Sequence, residues 1–191
     1  MIKILGISGS PRRHGNTEAL MDRALEGAAQ AGAVVEKIVL NELCLKPCQE
    51  CGGCGNKGVC VIKDDMRLIH KKVSESDGLI IASPIYFGSV TAQVKIMIDR
   101  FQPYWIRKYI LKKPVSKKKD RKGIFLCAAG SDRRAFFRNA ESIINIFFIT
   151  LNIRYFGGIF CGGIEKAGEI KKKKSILQRS FNMGMRLARS L

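Results

Sequence analysis

Four cysteines in a short, glycine-rich stretch are the residues of this sequence best suited to metal or redox chemistry. The first three are separated by two residues each and the fourth follows after five more, at Cys48, Cys51, Cys54 and Cys60. Three thiolates at this spacing can bind three corners of an iron–sulfur cubane, and a fourth can complete the site. The spacing favours a [4Fe–4S] cluster over zinc, which more often uses two separated CxxC pairs. Free thiols, or a regulatory disulfide that includes the nearby Cys44, are also compatible with this stretch.

The segment 8–17, SGSPRRHGNT, lies between an apolar run and an amphipathic stretch. Small and hydroxyl residues at such a strand-to-helix turn suit an anion, because backbone N–H groups and the helix dipole favour negative charge there. Arg12 or Arg13 would add a charge-assisted hydrogen bond. The segment has neither GxGxxG nor a final Gly-Lys-Ser/Thr, so it favours one terminal phosphate over a dinucleotide or a nucleoside triphosphate. The alternative is an ordinary polar turn in which Asn16 or Thr17 caps the helix.

A second loop, 83–91 (SPIYFGSVT), follows a continuously apolar run. Its aromatic pair, Tyr86 and Phe87, stands beside Gly88 and could lie against a planar ring while backbone amides donate to the polar edge of that ring. In open α/β sheets, ligands bind beyond the carboxyl ends of the strands where the strand order reverses. The alternative is a surface turn whose aromatic side chains belong to the core or to an oligomer contact.

The hydrophobic pattern predicts the elements that must position these loops. Apolar runs predict strands at 2–8, 34–40, 78–83, 123–129 and 155–161. Helical spacing predicts helices at 16–31, 64–74, 91–101 and 134–151, followed by a basic C-terminal helix at 168–191. The alternation predicts an α/β fold: a single domain, 1–191, with a doubly wound five-stranded parallel sheet in the flavodoxin-like order 2-1-3-4-5. Two long connections interrupt it, a Cys-rich loop at 41–63 and a basic insertion at 107–122.

The two loop motifs, GISGSPRRHGNT and SPIYFGSVTAQVKIMIDR, together with this alternation, resemble the NADPH-dependent FMN reductase-like flavoproteins over roughly residues 1–165. The resemblance implies a flavin-dependent oxidoreductase that binds FMN and accepts NAD(P)H as a reductant. It places Ser8, Ser10, Arg12, Asn16 and Thr17 in the loop that holds the FMN phosphate. It places Pro84, Ile85, Tyr86, Phe87, Gly88 and Ser89 along the isoalloxazine, with Gly130 in a third flavin-side loop.

The cysteine motif inside such a chain resembles the iron–sulfur flavoprotein family. That resemblance implies a [4Fe–4S] cluster on Cys48, Cys51, Cys54 and Cys60. It also implies a homo-oligomer, a homodimer or homotetramer, in which the cluster passes electrons to FMN. The alternative is an NAD(P)H-dependent FMN or quinone reductase without a cluster.

The charge of the chain is concentrated in two segments. The sequence has 34 Lys and Arg against 16 Asp and Glu, a formal net charge of +18. Segment 107–122 has nine basic residues and one acidic residue (9 − 1 = +8), and 171–191 has seven basic residues and no acidic one (+7). Such runs are typical of a solvated face or of a surface that docks an acidic electron-transfer protein such as a ferredoxin. A non-catalytic binding protein acting through this basic face is the third hypothesis.

Several classes of protein are disfavoured by what the sequence lacks. Aromatic residues are not interleaved with the lysine runs and no binding motif is present, so nucleic acid is not expected as a partner. No apolar run reaches about 18 residues, so no membrane span is expected, and the N-terminal residues lack the pattern of a secretory signal. We therefore expect a cytoplasmic protein. Cys127 and Cys161 are expected in the core and His70 at the surface.

Overall fold

Five parallel strands form one sheet in the order β2-β1-β3-β4-β5, which confirms the predicted topology. The computed structural model describes residues 1–191. The strands are β1 (Lys3–Ser8), β2 (Val34–Val39), β3 (Gly78–Pro84), β4 (Lys122–Ala128) and β5 (Arg154–Cys161). The strand order reverses between β1 and β3, so the loops that follow these two strands meet at the carboxyl edge of the sheet.

Helices cover both faces of the sheet. They are α1 (Asn16–Gln30), α2 (Met66–Glu75), α3 (Ala92–Asp99), the short α4 (Gln102–Trp105), α5 (Arg134–Thr150) and α6 (Lys174–Arg189). The predicted helix at 168–191 is therefore a short helical turn, Glu169–Lys172, followed by α6. No helix combines the length and the apolar content that crossing a membrane requires.

The central strand β3 shows why this sequence folds as a buried parallel strand. Its side chains alternate between two apolar cores: Leu79 and Ile81 pack with α2, α3 and α5, whereas Ile80 and Ala82 pack with α1 and α6. All four side chains are fully buried, which accounts for the uninterrupted apolar run in the sequence. The two cores therefore hold the sheet rigid at the edge from which the loops project.

Two glycines allow α6 to lie directly on α1. A Cβ atom at Gly184 would lie 1.8 Å from the carbonyl oxygen of Ala24, and one at Gly27 would lie 2.0 Å from the carbonyl oxygen of Phe181. No side chain fits at either position without separating the helices. This close contact fixes α1, whose first turn adjoins the predicted phosphate loop.

The basic stretch 107–122 is only partly an exposed insertion. Its first residues continue the chain of α4 in a wide helical turn, Ile106–Ile110, and Lys122 already belongs to β4. The side chain of Arg121 is buried and donates to the backbone carbonyls of Val73, Ser76 and Leu151. Part of this charge therefore serves folding rather than an external partner.

Candidate functional site

A cavity of about 220 Å³ opens at the carboxyl edge of the sheet where the strand order reverses. Its walls come from the loops that follow β1, β3, β4 and β5. Eight of the residues predicted for the cofactor line it: Ser10, Arg12, Asn16, Thr17, Pro84, Ile85, Tyr86 and Gly130. The fold thus brings three separately predicted loops onto one cavity.

Four further predicted cofactor residues lie away from this cavity wall. Ser8 is fully buried at the end of β1, and its hydroxyl oxygen has no hydrogen-bond partner. Tyr86 and Ser89 close a tight turn through two backbone hydrogen bonds of 2.9 and 3.0 Å. Phe87 and Gly88 stand at the tip of this turn with positive φ angles of 50° and 73°, and the Phe87 ring is fully exposed. The turn therefore presents Phe87 outward and only Tyr86 to the cavity.

Hydrogen bonds join the β1 loop to the β3 loop. The Thr91 hydroxyl donates to the Gly9 carbonyl over 2.7 Å, and the Gly9 N–H donates to the Ala82 carbonyl over the same distance. A Cβ atom at Gly9 would lie 2.0 Å from a methyl carbon of Val94, so only glycine fits this crossing. The two predicted cofactor loops are consequently held in one fixed arrangement.

A buried carboxylate, Glu18, orders the β1 loop from beneath. It accepts a hydrogen bond from the His14 N–H and pairs with Lys37 over 2.8 Å and with Arg13. Burial alone would raise the pKa of Glu18, but Lys37 and the His14 N–H outweigh it and the pKa is lowered. Arg13 is also paired with Glu42, whereas Arg12 forms no ion pair and faces the cavity. Arg12 is therefore the guanidinium of this loop that is available to an anion.

The loop after β5 supplies a wall that the sequence analysis did not anticipate. Ile164 and Glu165 line the cavity from this loop. The side chain of Asn16 holds the loop in place, donating to the Lys166 carbonyl over 2.9 Å and accepting from the Ile170 N–H over 3.2 Å. The rule that ligands bind at the carboxyl edge of the sheet could have pointed to this loop, because β5 ends at the same edge.

The four predicted metal-binding cysteines line a second cavity of about 270 Å³: Cys48, Cys51, Cys54 and Cys60. Burial raises the pKa of Cys54, and the charges of Cys60, Cys48 and Cys51 raise it further, so the four thiols lie close enough to interact. All seven cysteines of the chain are free thiols. No three His, Cys, Asp or Glu side chains in the described chain are arranged to hold a metal ion.

A buried ion pair closes the base of the Cys-rich loop. The Asp64 carboxylate accepts two hydrogen bonds from the Arg100 guanidinium, of 2.6 and 2.9 Å, and a third from the Lys46 N–H. Burial alone would raise the pKa of Asp64, but Arg100 outweighs it and the pKa is lowered. Since Lys46 precedes the cysteines and Asp64 follows them, this contact joins the two ends of the loop. The chemistry of this donor set, four thiols around one cavity with a buried cation in its wall, suits a negatively charged iron–sulfur centre, although the four side chains are not in coordinating positions.

One short helix connects the two cavities. α3 begins after Thr91, which binds the β1 loop, and ends before Arg100, which lines the cysteine cavity. Its eight residues span about 12 Å. The two candidate sites are therefore held at a fixed separation by one rigid element.

His70, which the sequence predicts at the surface, is half-buried. Its ring packs edge-on against Phe101, with 4.7 Å between ring centroids, and against Tyr104. Its Nε2–H donates to the Arg100 carbonyl over 3.0 Å. Burial lowers the pKa of His70 to about 4, because a charged imidazole would lose its hydration beside Arg100 and Arg107. Phe101, which lies between α3 and α4, and Tyr104 of α4 hold this histidine half-buried against the core, a contact that its lysine-rich sequence neighbours do not indicate.

We expect the stability of the protein to depend on pH through His70. Between pH 6.5 and pH 4 the unfolded chain binds a proton at this residue while the folded chain does not, so stability falls as the pH falls. At about 1.4 kcal/mol per pH unit, the free energy of unfolding should decrease by roughly 3 kcal/mol across this window. Urea titrations of the wild type and of His70→Gln at several pH values measure this contribution, because glutamine cannot titrate. If stability depended on pH equally in both proteins, His70 would not be the cause. His14→Gln, in an exposed loop, is the matched control and should keep the pH dependence of the wild type.

Sequence comparison relates the chain to described proteins. A sequence model of the family described as NADPH-dependent FMN reductase matches residues 2–163. The chain is 34% identical over 163 residues to an iron-sulfur flavoprotein of Methanosarcina thermophila, an alignment that covers 83% of this chain and 82% of that one. It is 47% identical over 102 residues to an iron-sulfur flavoprotein of Methanocaldococcus jannaschii, covering 53% of each, so this match spans about half the length of that relative.

Solved structures share the same fold. A NAD(P)H:quinone oxidoreductase from Methanothermobacter marburgensis superposes with a TM-score of 0.76 at 18% identity, covering 97% of this chain and 98% of that one. An FMN-dependent NADH-azoreductase from Bacillus anthracis, solved in complex with FMN, superposes with a TM-score of 0.70 at 14% identity, covering 97% and 99%. At these identities the likeness establishes the fold, and the family model extends over most of the chain.

Proposed function

Because the chain belongs to the family of NADPH-dependent FMN reductases, we propose that it is an FMN-dependent oxidoreductase that passes electrons between a [4Fe–4S] cluster and FMN. The observation that carries the proposal is the single cavity lined by the loops after β1 and β3, each predicted from its own motif, and by the loop after β4, which the family resemblance implies. The separate cavity lined by the four cysteines supports the second redox centre.

In this proposal the β1 loop binds the FMN phosphate. Ser10 and Thr17 line the cavity next to the start of α1, where backbone N–H groups and the helix dipole favour an anion. Arg12 supplies the charge-assisted contact. FMN itself supplies the chemistry, accepting and releasing electrons at its isoalloxazine ring. The protein orients that ring with the segment 84–86, and Gly130 leaves room beside it.

Cys48, Cys51, Cys54 and Cys60 would hold the cluster. The support is their C-x2-C-x2-C-x5-C spacing, their common cavity and the curated relatives whose printed name is iron-sulfur flavoprotein. A cluster supplies one-electron transfer. The residues of the chain fix the loop at both ends through Asp64 and keep part of the donor set, Cys54 and Cys60, half-buried.

A second candidate function is direct NAD(P)H-dependent reduction of FMN or a quinone without a cluster. The NADPH-dependent description of the matched family supports it. Rapid anaerobic mixing separates the two functions, with the visible absorbance of the flavin as the readout. Our proposal expects FMN to be reduced by a reduced ferredoxin and only slowly by NADPH. Fast reduction by NADPH, with none by the ferredoxin, would establish the second candidate instead.

The partners follow from this proposal. The exposed lysines of the basic stretch, Lys112, Lys113, Lys117 and Lys119, suit an acidic electron-transfer protein such as a ferredoxin. Arg107, at the start of that stretch, donates to the Gly58 carbonyl within the Cys-rich loop, so the charge begins beside the proposed point of electron entry. We further propose a homodimer or homotetramer acting in the reducing cytoplasm, without nucleic acid as a partner.

Replacing Arg12 with alanine is expected to weaken FMN binding by about 10- to 100-fold, the range for a lost charge-assisted hydrogen bond to phosphate. Fluorescence titration of the flavin-free protein with FMN measures the effect. The control Arg13→Ala removes the same charge from the same loop, but Arg13 pairs with Glu18 and Glu42 and does not line the cavity. Titration with riboflavin should show little difference between wild type and Arg12→Ala. Equal losses for FMN in both alanine variants would contradict a phosphate contact by Arg12.

A further inference from the structure

The guanidinium of Arg100 is the most deeply buried charge beside the four cysteines. The residue is 1% exposed, and it lines the cavity that contains Cys48, Cys51, Cys54 and Cys60. Its two terminal nitrogens both have partners: they donate to the two oxygens of Asp64 and to the Lys46 carbonyl. Its third nitrogen, Nε, has no hydrogen-bond partner anywhere in the structure. A buried N–H group without a partner is rare in folded proteins.

Cys60 is the one of the four cysteines that lines two cavities together with Arg100. Both residues also line a neighbouring cavity of about 300 Å³, so they share the wall between the two cavities. Cys60 is therefore the cysteine whose sulfur is best placed to accept a hydrogen bond from the unpaired Nε–H.

We propose that Arg100 is a positioning residue for the redox centre, whose Nε–H donates to the sulfur of Cys60 when that sulfur binds the cluster. This inference rests on the proposed iron–sulfur function and names a residue that tunes it. One-electron reduction of a cluster held by these cysteines, with reduced ferredoxin as the donor, would add one negative charge beside Arg100 and break no bond. The adjacent guanidinium keeps its protons and stabilises that added charge, so Arg100 raises the reduction potential.

A purely structural role explains only part of the arrangement. The pair with Asp64 joins the ends of the Cys-rich loop, and this accounts for the two terminal nitrogens. It does not account for the buried Nε, which has no hydrogen-bond partner although Arg100 lines the cysteine cavity. Arg107, by contrast, uses its Nε to donate to the Gly58 carbonyl. The unpaired donor therefore distinguishes Arg100 from the second arginine beside the loop.

The test is an anaerobic potentiometric titration of the reconstituted protein, followed by electron paramagnetic resonance of the reduced cluster. Arg100→Gln alone would leave Asp64 as an unpaired buried charge, so the variant is Asp64→Asn with Arg100→Gln, in which two neutral amides replace the ion pair. We expect the equilibrium constant for cluster reduction to fall at least tenfold, which for one electron is about 59 mV toward negative potential. The single variant Arg100→Lys retains the positive charge, so its reduction potential should lie between those of the double variant and the wild type.

Controls separate this inference from the proposed function. Arg67→Gln removes the same charge from an exposed position in the wall of the neighbouring cavity and should leave the potential within a twofold change in that constant. A wild-type protein that takes up no iron on reconstitution would overturn the cluster assignment itself. A protein that takes up iron normally, with the same potential in the wild type and the double variant, would overturn the role of Arg100 alone. A shift in Arg67→Gln as large as that in the double variant would also overturn it.

Discussion

Replacing Cys54 with serine is expected to lower bound iron from about four atoms per chain to less than about one, while FMN binding is unchanged. Serine is a poor ligand for iron in such a centre, and the remaining three thiols cannot complete the cluster. FMN should be retained because Cys54 lies in the Cys-rich loop and does not line the flavin cavity. Iron, sulfide and flavin measured per chain after anaerobic reconstitution check both halves of this prediction.

Cys44→Ser is the matched control for this loss. Cys44 lies just before the four-cysteine pattern, is exposed and does not line the cysteine cavity. Its substitution should therefore leave the iron content at the wild-type value. If Cys54→Ser kept its full complement of iron, or if Cys44→Ser lost as much, the assignment of the cluster to the four-cysteine pattern would be wrong.

Replacing Arg121 with methionine is expected to lower the free energy of unfolding by roughly 4 kcal/mol, since it leaves several buried carbonyls without partners. Arg121 donates to the Val73 and Ser76 carbonyls at the end of α2 and to the Leu151 carbonyl just after α5. Burial lowers the pKa of Arg121 to about 10, so it is still charged at neutral pH, where the helix C-termini favour a cation. Urea unfolding at pH 7 measures the loss.

Lys119→Met removes a charge from the same basic stretch at an exposed position. Its effect on the free energy of unfolding should be within about 0.5 kcal/mol. If the free energy of unfolding fell by the same small amount in both variants, the hydrogen bonds from Arg121 to the three backbone carbonyls would not contribute to stability.

The topology could be predicted because apolar spacing reports burial directly. The continuous run GLIIAS in β3 faces both cores and could only be a central parallel strand. The edge of the sheet that holds the site follows from the topology, so the sequence predicts that the loops containing Ser10, Arg12 and Tyr86 meet there, and all three residues line one cavity. These predictions depend on residues close together in sequence.

The contacts that sequence could not provide join residues far apart in the chain. The pairing of Arg100 with Asp64 spans 36 positions, and the contact of Asn16 with Lys166 spans 150. Nothing in the local pattern distinguishes Arg121 from Lys117 and Lys119, although the fold buries the arginine and exposes both lysines. The exposure of Phe87 is a further feature that the sequence does not indicate: the residue lies at the tip of its turn with a φ of 50°, and its ring is exposed.

The most direct test of the central claim is the composition and visible spectrum of anaerobically reconstituted protein before and after addition of reduced ferredoxin. The proposed function predicts about one FMN and about four iron atoms per chain. It further predicts that both the flavin and the cluster absorption bleach on reduction. A protein that binds FMN but takes up no iron, and whose flavin the ferredoxin fails to reduce, would contradict it.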